Sequence, residues 1–351
     1  MALAHARAEA AVTRADLAAR LEAHPRIPLA HLPTPLDACP RLAEAIGVRA
    51  LYIKRDDLTG LAFGGNKTRH LEFTFAEILR SGADTVVAGA YTQSNWCRQI
   101  TAAARKLGLA VSLVLIHGVK GPRVQGNLLL DHVMGADVTV VDIDSMEKIQ
   151  PLLDEKARAL EAAGRRPFVI APFALDQQVL AALGYVVTAI ELDAQFEDAG
   201  IDPAHVFVCG ANNTPAGLIA GLRALGRRAR VTSVSPIRWE EPRERDIARV
   251  ATATARALDL NLAIEPGDFV ADEDHIGEDY GVLSPEARAA IRLVAGTEGI
   301  LLDPVYSGKA MAGLIDAAER GTVGADETVV FVHTGGMPAL FAYAEDLIDD
   351  G

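Results

Sequence analysis

The stretch Phe63-Gly64-Gly65-Asn66-Lys67-Thr68-Arg69 decides how this chain is read. It follows a short apolar strand, Leu51-Tyr52-Ile53-Lys54, and a polar turn, Arg55-Asp56-Asp57. It precedes Leu71, Phe75 and Ile78, which recur at helical spacing. Lys67 therefore stands at a strand-to-helix crossing, just past a glycine hinge. Ligands commonly bind α/β proteins at such crossings, and a lysine there can present its amine to a bound carbonyl. A glycine pair before a helix also makes an ordinary turn, so the lysine gains meaning only from what accompanies it.

Three further patches accompany it. A strand over residues 85–90 runs into Tyr91-Thr92-Gln93-Ser94-Asn95-Trp96-Cys97-Arg98-Gln99 and then into an alanine-rich helical run. The free N–H groups at that helix start, with the Ser94 hydroxyl and the Asn95 amide, can hold a carboxylate; either side chain can equally be a simple helix cap. The loop Cys209-Gly210-Ala211-Asn212-Asn213-Thr214-Pro215 follows a strand over 205–209 and opens another helix. Its backbone N–H groups and hydroxyl suit a phosphate, helped by the positive end of the helix dipole. Near the C-terminus stand Tyr280-Gly281, then Asp303-Pro304-Val305-Tyr306-Ser307-Gly308-Lys309, then His333-Thr334-Gly335-Gly336.

Between these motifs, apolar strand-like runs (111–116, 137–143, 230–234, 328–333) alternate with helical stretches (123–134, 147–163, 176–193, 214–225, 241–258, 285–297). That alternation predicts an α/β fold with mainly parallel sheets. No internal repeat is present. At 351 residues, half of them hydrophobic, the chain can build two lobes. A formal net charge of −13 argues against a nucleic-acid partner. Three irregularly spaced cysteines, Cys39, Cys97 and Cys209, favour a reducing cytosol over a disulfide framework or a structural zinc site. No run of about 18 apolar residues predicts a membrane span. Charges at Glu9, Arg14, Asp16, Arg20 and Glu22 interrupt any secretory h-region, and Thr13-Arg14-Ala15-Asp16 reads as a helix cap. The run Asp272-Glu273-Asp274-His275 is expected to be solvated rather than metal-binding, and no metal site is expected elsewhere.

In order and spacing these motifs resemble the D-cysteine desulfhydrase and 1-aminocyclopropane-1-carboxylate deaminase family, pyridoxal-phosphate enzymes of the tryptophan-synthase β-subunit type (fold type II), from about Ile27 to Tyr343. The resemblance implies a two-lobed fold, each lobe a mainly parallel twisted sheet flanked by helices, with the cofactor in the cleft. Residues 66–170 would form the small lobe; 1–65 and 171–351 would form the large cofactor-binding lobe of a homodimer. Lys67 would anchor pyridoxal 5'-phosphate and move the proton at the substrate α-carbon, with Asn66 beside it. Asn95 would bond the cofactor's phenolic oxygen, and Gly210, Ala211, Asn212, Asn213 and Thr214 would cradle its phosphate. Ser94, with Asn95, Trp96 and Gln99, would bind the substrate, and Tyr280 and Tyr306 would be acid–base groups.

The chain also departs from the family. Ala211-Asn212-Asn213 replaces Ser-Gly-Gly, which asparagine's tolerance of left-handed backbone would accommodate. Trp96-Cys97 follows Ser94-Asn95 where His or Gln is usual, which bears on the substrate. Deaminase members carry Glu and Leu where this chain has Ser307 and Thr334, as desulfhydrases do. A carboxylate at the pyridine nitrogen makes a strong electron sink, which opening a cyclopropane requires; a hydroxyl makes a weaker one, sufficient when a good leaving group sits on the β-carbon. The resemblance therefore implies α,β-elimination on a small β-substituted amino acid, most simply D-cysteine. Cyclopropane deamination, cysteate sulfo-lysis, amino-acid racemisation and a retired sensor remain alternatives.

Overall fold

Ten strands alternate with helices across residues 11–348, the part of the chain that the computed structural model describes. They are β1 (Leu36–Ala38), β2 (Ala50–Lys54), β3 (Thr85–Tyr91), β4 (Ala110–Ile116), β5 (Asp137–Val141), β6 (Pro167–Val169), β7 (His205–Cys209), β8 (Arg230–Val234), β9 (Val270–Asp272) and β10 (Thr328–Val332). Two sheets result, one ordered β1-β2-β10-β7-β8-β9 and the other β5-β4-β3-β6. All pairings are parallel except β1 with β2. The expected α/β architecture is therefore present. The short strands β1, β6 and β9, which the hydrophobic pattern does not announce, all lie at sheet edges, where three residues carry too little alternation to read.

Each central strand reads as a near-continuous apolar run because helices cover both its faces. In the larger sheet, Val206, Val208, Val330 and Val332 pack with Ala182, Tyr185 and Leu192 of helix Leu175–Ala199. The alternate residues Phe207, Cys209, Val329 and Phe331 pack with Ala290, Met311 and Leu314 on the opposite face. Helix Leu175–Ala199 is long and apolar enough to span a membrane, contrary to the expectation from the sequence, yet it packs on helices Asn213–Ala224 and Lys67–Arg80 and is mostly buried, as a core helix is. Near the N-terminus, helix Arg14–Glu22 is closed by the expected Thr13/Asp16 capping box; Glu9 lies outside the described residues. All three cysteines are free and buried.

One polar cluster ties helix Lys67–Arg80 to both the larger sheet and helix Leu175–Ala199. Arg69, fully buried, donates to both Asp56 oxygens (2.9 and 2.7 Å) and both Glu191 oxygens (2.8 and 2.9 Å). Tyr185 donates to Asp56 at 2.7 Å, and Lys54 donates to Glu191 at 2.7 Å. Burial alone would raise both carboxyl pKa values, but Arg69 and Lys54 outweigh it and hold them below the ordinary range. Carboxylates lowered by folding stabilise the fold above their unfolded pKa values, and that stabilisation is lost as pH falls through the folded ones. Arg69→Met would leave two buried carboxylates without their main counter-charge and is expected to lower unfolding free energy by about 3–5 kcal/mol. Denaturant titration at pH 7 measures this, and the deficit should narrow as pH falls, first as the variant's carboxyls, raised by burial without Arg69, protonate and then as the native ones do.

Candidate active site

Lys67 is the first residue of helix Lys67–Arg80, and its placement follows from the two glycines before it. Gly64 (φ +65°) and Gly65 (φ +123°) hold left-handed backbone that side chains resist, and a methyl on Gly65 would sit 2.6 Å from the Gln99 amide nitrogen. Asn66 then stitches the turn to the larger sheet. Its N–H donates to the Thr334 carbonyl (2.9 Å), and its amide donates to the Thr214 hydroxyl (2.9 Å). The Lys67 amine stands over the Trp96 ring, 5.8 Å from its centroid, and faces a cavity of about 830 Å³.

The walls come from the carboxyl ends of parallel strands, the usual ligand crevice of such sheets. β3 leads to Tyr91, Ser94, Asn95 and Trp96; β7 leads to residues 210–214; β8 leads to Ile237 and Trp239; β10 leads to Thr334. Ser94 caps helix Asn95–Lys106, accepting the N–H groups of Trp96 and Cys97 at 3.2 Å, and still lines the cleft. The capping reading of Ser94 therefore holds, and the cap uses two of the N–H groups at that helix start. The Asn95 carbonyl oxygen is occupied by Asn127 (2.9 Å), which leaves its amide nitrogen to donate. Tyr280 and Tyr306 meet hydroxyl to hydroxyl at 2.7 Å. Tyr306 is fixed by Asp303, which accepts its N–H, and Tyr280 by Lys309, which clamps the Ile276 and Asp279 carbonyls.

Two expected residues stand behind the wall. The Ser307 hydroxyl donates to Asp303 (2.6 Å) and accepts the Asp303 N–H (2.7 Å), so it is committed away from the cleft. Gln99 accepts from Thr68 (2.7 Å) and backs Gly65, supporting the hinge rather than touching a substrate. The 210–214 loop departs from expectation in its backbone: Ala211, Asn212 and Asn213 all keep negative φ, so asparagine's left-handed tolerance is not used there. Instead the Asn212 side chain accepts the Asn213 N–H (2.7 Å) and caps helix Asn213–Ala224. The run 272–275 is likewise only half solvated, because Asp272 pairs with His275 at 2.7 Å. Tyr91, Met146, Ile237 and Trp239 line the cleft unannounced, and Tyr91 stacks on Tyr280 (centroids 4.4 Å apart). Their signal was position at or beyond a strand's carboxyl end.

Among the described residues, Lys67 is the only charged side chain lining the cleft. Enclosure by protein pushes its pKa down to about 8, even though part of its surface opens onto the cavity. Burial pushes both tyrosines up, so they stay protonated donors at neutral pH. The rate at which Lys67 captures an aldehyde is therefore expected to be half-maximal near pH 8 rather than above 10. Stopped-flow absorbance across pH 6–11 measures it, and a midpoint above 10 would show a solvated amine.

The chain matches the family model described as pyridoxal-phosphate dependent enzyme over residues 27–335. It is 41% identical to a D-cysteine desulfhydrase of Klebsiella pneumoniae subsp. pneumoniae over 324 residues, 91% of this chain and 96% of that one. It is 39% identical to a 1-aminocyclopropane-1-carboxylate deaminase of Burkholderia lata over 333 residues, 93% and 98% of the two chains. The crystal structure of an ACC deaminase homologue superposes with a TM-score of 0.86 at 35% identity, covering 95% of this chain and 98% of that one. Apo diaminopropionate ammonia lyase of Escherichia coli shares the fold (TM-score 0.68, 18% identity, 98% and 93% covered).

The residues fit that cofactor. An amine of lowered pKa faces the cleft, and a twelve-residue helix opens at the 210–214 loop, which lines the same cleft and presents the positive end of the helix dipole to it. Geometry and kinship agree: this chain belongs to the pyridoxal-phosphate-dependent enzyme family and is a fold type II lyase.

Proposed function

We propose that this lyase eliminates sulfide from D-cysteine, giving pyruvate, ammonia and hydrogen sulfide with uptake of one water. The observation that carries this reading is that no Asp or Glu side chain lines the cleft among the described residues. Position 307 offers no carboxylate, and its hydroxyl is spent on Asp303. Bound pyridoxal phosphate supplies an electron sink for the α-carbon. Without a carboxylate to hold the pyridine nitrogen protonated, that sink is weak and favours a substrate with a good leaving group.

The chain's own residues divide the remaining work. The helix start at Ser94 and Asn95 receives the substrate carboxylate, and the Lys67 amine takes the α-proton. The Tyr280–Tyr306 pair, both phenols neutral, delivers a proton to the departing sulfur as the C–S electron pair moves onto it. Asn66, Asn95 and Thr334 position the cofactor, residues 210–214 hold its phosphate, and Trp96 limits the room beside Lys67. We place the lobe boundary at residues 66–170, within which all four strands of the smaller sheet fall, and assign a cytoplasmic homodimer. A second reading, opening of 1-aminocyclopropane-1-carboxylate, is favoured by the relatives named for that activity at 39–40% identity.

The test is sulfide and pyruvate release by the cofactor-loaded protein. Equimolar products from D-cysteine, with little from L-cysteine, are expected. Turnover of 1-aminocyclopropane-1-carboxylate without sulfide release would select the second reading, and no turnover of any amino acid would mark a retired sensor. Trp96→His is expected to change the ratio of kcat/KM values across β-substituted amino acids several-fold, and an unchanged ratio would remove Trp96 from specificity.

A further inference from the structure

The cleft continues past Lys67, Trp96 and Asn213 into a chamber that His70 and Gln178 also line. His70 lies one helical turn after Lys67 and is buried. Its Nδ1 is 2.6 Å from the Ala181 carbonyl oxygen, which can only accept, so Nδ1 carries the ring proton. In the neutral ring Nε2 is then an acceptor, and its partner at 2.9 Å is the Thr214 hydroxyl. That hydroxyl already accepts from the Asn66 amide at 2.9 Å. The Thr214 proton therefore points at His70, and the hydroxyl shows the cleft only a lone pair.

Thr214 is the second residue of helix Asn213–Ala224, in the loop assigned above to the cofactor phosphate. A phosphate monoester there is a dianion near neutral pH and needs donors, since its second pKa is about 6. Rotating the Thr214 hydroxyl toward it would strand the buried Nε2 lone pair. We propose that His70 is a positioning residue that takes up one proton from solvent when the phosphate binds. Nε2–H then donates to Thr214, and the Thr214 O–H donates to a phosphate oxygen, while Nδ1–H stays on Ala181.

The charges around His70 allow this. On its own helix are Lys67 and Arg69; Asp56 faces it from the turn after β2; helix Leu175–Ala199 contributes the Ala181 carbonyl and the Tyr185 ring (5.3 Å); helix Asn95–Lys106 contributes the Trp96 edge (6.4 Å). Arg69 and Asp56 are paired with each other. Burial and the Lys67 charge therefore keep the ring neutral in the open cleft, with a pKa near 3. A phosphate dianion held beside Thr214 would favour the imidazolium.

This inference rests on the reading of residues 210–214 as the phosphate cradle, and comparing pyridoxal phosphate with pyridoxal separates the two claims. In ¹⁵N-histidine-labelled protein at pH 7.5, with His70 identified by its loss in His70→Gln, both ring nitrogens are expected to be protonated with pyridoxal phosphate. Only Nδ1 should be protonated with pyridoxal or with no cofactor. The ratio of the two dissociation constants should also change with pH between 7 and 9. The advantage of pyridoxal phosphate should shrink with rising pH, by up to about tenfold per pH unit for uptake of one proton. In His70→Gln, whose amide can donate without ionising, the ratio should be flat. A neutral His70 with pyridoxal phosphate bound, or a flat ratio in the unsubstituted enzyme, overturns the proton uptake and leaves the cradle standing. Equal affinity for both compounds overturns the cradle as well.

Discussion

The placement of Lys67 depends on a buried guanidinium two residues away. Arg69 is gripped by Asp56 from the turn after β2 and by Glu191 from helix Leu175–Ala199, so the first turn of helix Lys67–Arg80 has little freedom to move. Enclosing so much charge is costly unless every group is paired, and here Tyr185, Lys54 and Thr34 complete the partners. The hinge at Gly64 and Gly65 turns the chain sharply enough for Lys67 to leave this network and face the cleft. The ion cluster thus anchors the helix while the lysine beside it stays unpaired and partly desolvated.

The cleft follows from the sheets. Parallel strands end on one side, and the loops that follow them carry the polar wall: hydroxyl and amide after β3, helix N-terminus after β7, carbonyl after β10. Almost every group there is neutral. One amine with a pKa near 8, two protonated phenols and a set of amide and hydroxyl donors suit chemistry in which the cofactor bears the charge and the protein moves protons.

Much of this was legible in the sequence for identifiable reasons. Lys67, Ser94, Asn95 and the 210–214 loop each sit where an apolar strand gives way to a helix, a transition that local pattern reveals. Tyr280 and Tyr306 have no such signal, and family resemblance alone singled them out. Ser307 and Gln99 lie in the right motifs, but their side chains turn to Asp303 and Thr68, a matter of packing direction that spacing does not encode. Trp239 and Met146 follow strands distant in sequence, and His70 reads as an ordinary helical residue until Ala181 and Thr214 close on it from other elements. The edge strands β1, β6 and β9 exist because a neighbour pairs with them, which three residues cannot announce.

The most direct test of the central claim is to reduce the cofactor-loaded enzyme with borohydride and map the modified lysine by mass spectrometry. The account predicts a single cofactor adduct on the peptide carrying Lys67. An adduct on Lys309, the other buried lysine held near pH 8, or on Lys54 would contradict it, because the hinge and ion cluster would then be presenting the wrong amine.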